Sequence, residues 1–235
     1  TSNSVLKNSS SKGNIKGAAY VGGISGSFSY VNVENCKTDG STISCEGYTI
    51  VSGEKYAYLG GFVGLMENSS IYNCTNNVNI NYTGEGVYTG GLIGSLQCVI
   101  PIVIEKCINE ADIKGYSYVG GIVGHSYNYR SNSGIHTFTF KGCENNGDVA
   151  ATSNYAGGLF GYFYANSYND SQLIAEELNN RGNVTGNHTV GGLFGLCSTD
   201  NSISSIKNSS SSGKIQGNAY VGGLLGSISY VNIEN

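Results

Sequence analysis

Seven copies of Gly-Gly-x-x-Gly recur along the chain: GGISG, GGFVG, GGLIG, GGIVG, GGLFG, GGLFG and GGLLG. Their glycine pairs are Gly22 and Gly23, Gly60 and Gly61, Gly90 and Gly91, Gly120 and Gly121, Gly157 and Gly158, Gly191 and Gly192, and Gly222 and Gly223. Successive copies start 38, 30, 30, 37, 34 and 31 residues apart. A repeat of this length outranks chain length as a guide to architecture, because each repeat is one structural unit that needs its neighbours to bury its apolar face. Other columns keep step with the glycines. Two residues before each pair stand Tyr20, Tyr58, Tyr88, Tyr118, Tyr155 and Tyr220, with Thr189 in the sixth copy. Two residues after the first glycine stand Ile24, Phe62, Leu92, Ile122, Leu159, Leu193 and Leu224, all large and apolar.

A second block lies upstream of each glycine pair and reads NCTNNVNI, KCINEADI, GCENNGDV, ELNNRGNV and NSSSSGKI. It aligns Cys36, Cys74, Cys107, Cys143, Leu178 and Ser209 in one column, with Ser9 in the first copy. A third short apolar block (YVNV, SSI, IVI, FTF, QLIA) precedes it. Each unit therefore holds three segments rich in β-formers, separated by Gly, Asn and Ser, with no helical period between them. Three short strands in about 30 residues, with side chains in register, describe a coil of a solenoid. The expected fold is all-β: a parallel β-solenoid with three short strands and 30 to 38 residues per coil. Its crossovers are expected to be right-handed, as parallel connections nearly always are. Length variation falls at corners, so KTDGSTISCEGYTIVSGEKY and HSYNYRSNSG read as excursions.

A longer period overlies the short one. Residues 1 to 35 align without a gap on residues 201 to 235, with 23 identities. The phrase AYVGGISGSFSYVNVEN returns as AYVGGLLGSISYVNIEN, broken off where the first copy continues into Cys36. Residues 1–235 are thus expected to form one continuous solenoid segment of a longer array, with a 200-residue super-repeat of six coils.

The composition fits such a fold and narrows its partners. Only 12% of residues are charged, and Pro101 is the single proline, in keeping with amides committed to strand ladders. A net charge of −4 offers no surface to track phosphates, so nucleic acid is not an expected partner. No run of about 18 apolar residues is present, so no membrane span is expected in this segment.

The segments YVGGISG, YVGGIVG and YVGGLLG closely resemble the GLUG motif, a short repeat found in arrays within large surface and secreted proteins, among them bacterial adhesins and the non-catalytic part of some immunoglobulin A peptidases. The resemblance extends over essentially the whole chain, departing at Ser25 and Thr189. It implies surface display, with adhesion or scaffolding as the role.

The residues themselves point the same way. A phosphate-cradling reading of the glycines needs a following helix and a Lys-Ser/Thr ending, and neither is present; Gly-Gly on a strand suggests close backbone approach or a bend at a coil corner instead. The tyrosines read first as a structural ladder and second as a sugar-binding platform. The Cys column allows reduced packing or disulfides between coils, while no metal-ligand spacing occurs. His125, His136 and His188 fall at unrelated repeat positions. Asp112 and Asp148 share a column that continues into Asn183 and Lys214, the pattern of a solvated ladder edge. No catalytic, metal or cofactor residue is expected. Eight N-x-Ser/Thr sequons (Asn8, Asn68, Asn73, Asn81, Asn169, Asn183, Asn187, Asn208) are candidate glycosylation sites of a secreted chain. The expected function is an extracellular structural rod, stalk or filament shaft, its partner being more of itself, end to end or laterally. The alternatives are an adhesin that binds a host or carbohydrate ligand through inserted loops, and a polysaccharide-cleaving β-helix.

Overall fold

The computed structural model describes residues 4–51, 54–82, 84–128, 136–165, 171–199 and 203–234. These residues contain strands and turns and no helix. The strands form four sheets, each running the length of the molecule. Sheet I holds the apolar block, with strands Ser4–Lys7, Val31–Glu34, Ser70–Tyr72, Ile102–Glu105, Thr137–Lys141, Gln172–Glu176, Ser205–Lys207 and Asn232–Glu234. Sheet II holds the block that begins at the Cys column, and sheets III and IV hold the residues before and after each glycine pair. Strands of successive coils pair in parallel, so the chain winds as a β-solenoid, and sheet IV counts seven strands, one per coil. Among the described residues only Thr49–Val51 and Glu54–Gly60 pair antiparallel.

The three segments read from the sequence are all strands, but they serve four sheets. The glycine pair is a corner, and it cuts the third segment in two: Tyr88 and Gly90 lie in sheet III, while Ile93 to Cys98 lie in sheet IV. In most coils sheet II is cut as well, for example into Ile108–Asn109 and Ile113–Gly115. The expected excursion after Cys36 is shorter than its sequence suggests. Lys37–Cys45 stays inside sheet II and pairs with Thr75–Asn81 through a bulge that absorbs one residue, so only the Thr49–Val51 hairpin leaves the coil. Of the second excursion, His125 to Asn128 belong to a sheet IV strand and residues 129–134 lie outside the described residues.

Side chains alternate along each strand, so every inward position forms a column of like residues down the axis. Two apolar cores result. One joins sheets I and IV and contains Val33, Ile71, Ile104, Phe140, Phe62, Leu92 and the Cys column. The other lies between sheets II and III and contains Ile43, Ile80, Ile113, Val149, Val184, Leu59 and Val119. Between them the coil narrows to a polar waist.

Candidate functional site

The waist is a ladder of side chains two residues beyond the Cys column, Thr38, Asn76, Asn109, Asn145 and Asn180, all buried, and the half-buried Ser211. Each asparagine is at most 1% exposed. Thr38 Oγ1 donates to Asn76 Oδ1 at 2.8 Å, and Nδ2 of Asn76, Asn109 and Asn145 donates to the next Oδ1 at 2.8, 2.7 and 2.8 Å. The same Nδ2 groups also donate to the carbonyls of Val78, Ala111 and Gly147, two residues on. The ladder therefore saturates both its own amides and the carbonyls at the bend that divides sheet II, as buried polar groups require.

The glycine pairs face this ladder. An added Cβ at Gly91 would lie 2.6 Å from the Asn109 carboxamide and would meet the carbonyl oxygen of Gly121. At Gly90 it would lie 2.7 Å from the Gly124 nitrogen. Gly22, Gly60, Gly90, Gly120, Gly157, Gly191 and Gly222 pair rung by rung in sheet III, so the pairs do form one column. Absence of a side chain there lets the corner close on the asparagines, the close-approach role of glycine.

At the corner between sheets I and II, the residue before the Cys column has positive φ in every coil: Asn8, Asn35, Asn73, Lys106, Gly142, Glu177 and Asn208, between 48° and 59°. Asparagine tolerates this left-handed conformation better than most residues. The next side chain turns inward. Cys36, Cys74, Cys107 and Cys143 are free and at most 2% exposed. Their thiols lie 3.2, 3.3, 3.3 and 3.6 Å from the carbonyl two residues back, on Glu34, Tyr72, Glu105 and Lys141. Cys45, Cys98 and Cys197 are free and buried too. Burial pushes the Cys74 thiol up to about 12, which suppresses the reactive thiolate.

The column has a serine form. Ser209 Oγ donates to the Lys207 carbonyl at 2.7 Å, as Ser9 does to Lys7 at 2.9 Å. Cys143→Ser therefore finds a ready acceptor and should cost about 1 kcal/mol, well below the penalty for an unsatisfied buried hydroxyl. Thermal melts check this; a loss of several kcal/mol would mean that the corner cannot tighten around oxygen.

The tyrosine column is a ladder of touching rings: Tyr20–Tyr58 and Tyr118–Tyr155 are stacked, Tyr58–Tyr88 is tilted at 53° and Tyr88–Tyr118 meets edge to face at 82°. Ring centroids of Tyr20–Tyr58, Tyr58–Tyr88, Tyr88–Tyr118 and Tyr118–Tyr155 lie 5.0, 5.4, 5.0 and 5.0 Å apart. At Thr189 the stack ends; His188 Nδ1 lies 3.0 Å from the Thr189 hydroxyl, and its ring packs on Tyr220 at 4.9 Å. Tyr118, Tyr155 and Tyr220 hold positive φ, an uncommon state for bulky residues. His125 joins the stack from sheet IV, 4.3 Å from Tyr88 and 5.3 Å from Tyr162, with Ser95 Oγ at 3.4 Å from its Nδ1. Burial holds its pKa at about 4, below the ordinary 6.5.

A histidine whose folded pKa is depressed contributes stability above its unfolded pKa and loses it as pH falls from 6.5 towards 4. His125→Tyr, which copies Tyr162 one coil on, should remove about 2 kcal/mol of acid destabilisation relative to wild type in that window, the ring's partial exposure having been allowed for. Parallel stability profiles for the two proteins between pH 7 and 4 would show that this ring does not resist protonation.

Of the remaining sequence candidates, His136 is buried with neither ring nitrogen hydrogen-bonded among the described residues, whereas the aspartates bind backbone. Asp112 Oδ1 accepts the Asp148 N–H at 2.9 Å, Asp148 Oδ1 accepts that of Asn183 at 2.8 Å, and Asn183 Oδ1 accepts that of Lys214 at 3.0 Å. These exposed carboxylates bind the backbone of the next coil. On sheet I, Lys7–Glu34, Lys141–Glu176 and Lys207–Glu234 form ion pairs across rungs at 2.8, 3.1 and 2.9 Å. Surface pairs contribute little energy, but opposite charges on paired rungs favour this register. Among the described residues no three His, Cys, Asp or Glu side chains come together as metal ligands. Of the sequons, Asn8, Asn73, Asn81, Asn183, Asn187 and Asn208 are exposed and Asn68 is half-buried; Asn169 lies outside the described residues.

Sequence reasoning passed over the asparagine ladder. Its signal stands in NCTNNVNI, KCINEADI, GCENNGDV and ELNNRGNV, where the same position is asparagine in four consecutive coils.

Neither the curated proteins nor the solved structures gave a match to this chain. The family model of the GLUG motif matches residues 56–81, a stretch that runs from sheet III through sheets IV and I into sheet II. The chain thus contains a GLUG motif, and its other six glycine corners stack in the same columns as the matched one, in a β-solenoid.

Proposed function

We propose that this chain is a structural segment of an extracellular surface protein, a length of rod that spaces or displays other parts. The observation that carries the reading is the continuity of its columns: glycine pairs, asparagine ladder and rung pairing pass through successive coils with no interruption of the parallel ladders. Solenoids of this kind gain length by adding coils, each contacting only its neighbours. Since residues 201–235 repeat residues 1–35, the natural partner of one 200-residue unit is another. No catalytic residue enters this reading: Asp112 and Asp148 bind backbone, and His125 and His188 pack on tyrosine rings. The exposed sequons suit a secreted surface with few charges, and glycans there would add solubility.

Scattering from proteins with one, two and three tandem 200-residue units tests the rod. Each added unit should lengthen the particle by roughly 29 Å at constant cross-section, from six coils at a strand spacing of about 4.8 Å. A maximum dimension that fails to grow linearly would reject the rod. Antibody labelling of intact source cells tests display; labelling only after permeabilisation would reject an extracellular place.

A further inference from the structure

The tyrosine stack does not stand alone. In the fourth and fifth coils it widens into an aromatic band, as Tyr118, His125 and Tyr127 from one coil meet Tyr155, Tyr162 and Tyr164 from the next. Every one of these rings is partly exposed. We propose that this band binds a neutral, extended polysaccharide chain along the solenoid axis.

Three observations choose that occupant. The first is charge: across the third to sixth coils, the outward positions of sheet IV are Ser95, Gln97, His125, Tyr127, Tyr162, Tyr164, Leu196 and Ser198. None carries a charge at neutral pH, since burial holds His125 neutral, so an anionic or cationic polymer finds no counter-charge there. The second is ring geometry. Tyr118 and Tyr155 both meet Tyr162 at 78°, with centroids 5.4 and 5.1 Å away. Tyr118–Tyr155, His125–Tyr162 and Tyr127–Tyr164 are stacked, at 24°, 16° and 11°, so the band offers a sugar ring edges and phenol oxygens rather than a row of free faces. Along the axis the rings repeat at 5.0 Å, close to the advance of one pyranose in an extended chain. The third is the shape beside the stack: a depression of about 250 Å³ between Tyr56, Tyr88, Tyr116 and Tyr118 offers room for one sugar ring. A peptide strand is a poorer fit, because the neighbouring strands are already paired on both sides and leave no sheet edge to extend.

This inference is independent of the rod reading, and its failure leaves that reading intact. The chain has no tryptophan, so its fluorescence comes from its 18 tyrosines, those of the band among them. The test is affinity electrophoresis of the whole chain in gels containing mixed-linkage β-glucan, galactomannan or alginate, with tyrosine fluorescence titrated in parallel. At least one neutral polymer should retard the protein and quench its fluorescence, and alginate should do neither. Tyr127→Ser with Tyr162→Ser should weaken retardation about tenfold or more, by the worth of aromatic contacts. Both positions hold serine in other coils, at Ser29 and Ser198 and at Ser95 and Ser227, so the variant should fold; an unchanged circular dichroism melt verifies this. If it does not fold, Tyr164→Ser alone replaces it and should weaken retardation severalfold. Retardation by no neutral polymer, equal retardation by alginate, or equal retardation of the folded variant would each overturn the proposal.

Discussion

Gly91→Ala is expected to destabilise the protein by about 4 kcal/mol or more, enough to prevent coils three and four from stacking as they do. The added methyl would sit 2.6 Å from the Asn109 carboxamide and against the Gly121 carbonyl, and neither neighbour is free to withdraw. Asn109 is held by Asn76, Asn145 and Ala111, and Gly121 by the next corner, where its N–H donates to Gly158 at 3.1 Å. Overpacking usually costs 1–3 kcal/mol because side chains shift; here the obstacles are backbone and a saturated amide, which places the cost in the upper tail. Gly142→Asn is the control. Gly142 also has a special conformation, with φ at +59°, yet a Cβ there has open space apart from Lys106 Cγ at 3.7 Å. Asn8, Asn35, Asn73 and Asn208 already hold asparagine in that conformation at equivalent corners, so this change should stay within about 0.5 kcal/mol. Urea denaturation of the two variants gives the comparison. Similar midpoints would mean that the corner is looser than its contacts imply.

Asn145→Ala should cost about 4 kcal/mol through lost hydrogen bonds rather than lost volume. Asn145 accepts from Asn109 Nδ2 at 2.7 Å and donates to the Gly147 carbonyl at 2.7 Å and to Asn180 Oδ1 at 2.8 Å. Alanine would strand three buried partners, each costing about 1–3 kcal/mol, and water reaches the waist poorly. Since each coil touches only its neighbours, the damage should also be local. Hydrogen exchange should accelerate most in coils four to six, while Ile71 and Ile80 two coils away keep most of their protection. Uniform loss of protection along the chain would show that the solenoid unfolds as a single cooperative block and that its ladders are not independent modules.

These two outcomes bear on the reading as a rod. A structure whose stability resides in repeated corners and ladders can be lengthened without a new core. The partly exposed columns, including the tyrosine band, are then free to vary from coil to coil, as Gln97, Leu196 and Ser198 show.

The solenoid was legible in the sequence because stacking puts like residues in columns. Gly-Gly-x-x-Gly, the Cys column and the large apolar residue after each glycine pair are all consequences of parallel in-register rungs, and a linear pattern records them directly. The tyrosine ladder and the structural role of Asp112 and Asp148 followed from the same columns. Three features depended on the tertiary structure. The glycine pair reads as a close approach or a bend at a coil corner, but what it closes on becomes visible only when Asn109 and Gly121 are seen to fill the space where a side chain would go. The asparagine ladder looked like ordinary Asn-rich loop sequence, since burial of an amide is decided by what surrounds it and not by its own type. The aromatic band joins Tyr118 of one sheet to Tyr162 of the next sheet and the next coil, 44 positions away in sequence, and no periodic column contains both. A column arises from repetition along the axis, whereas a surface patch arises where two sheets meet and bring residues of different columns together.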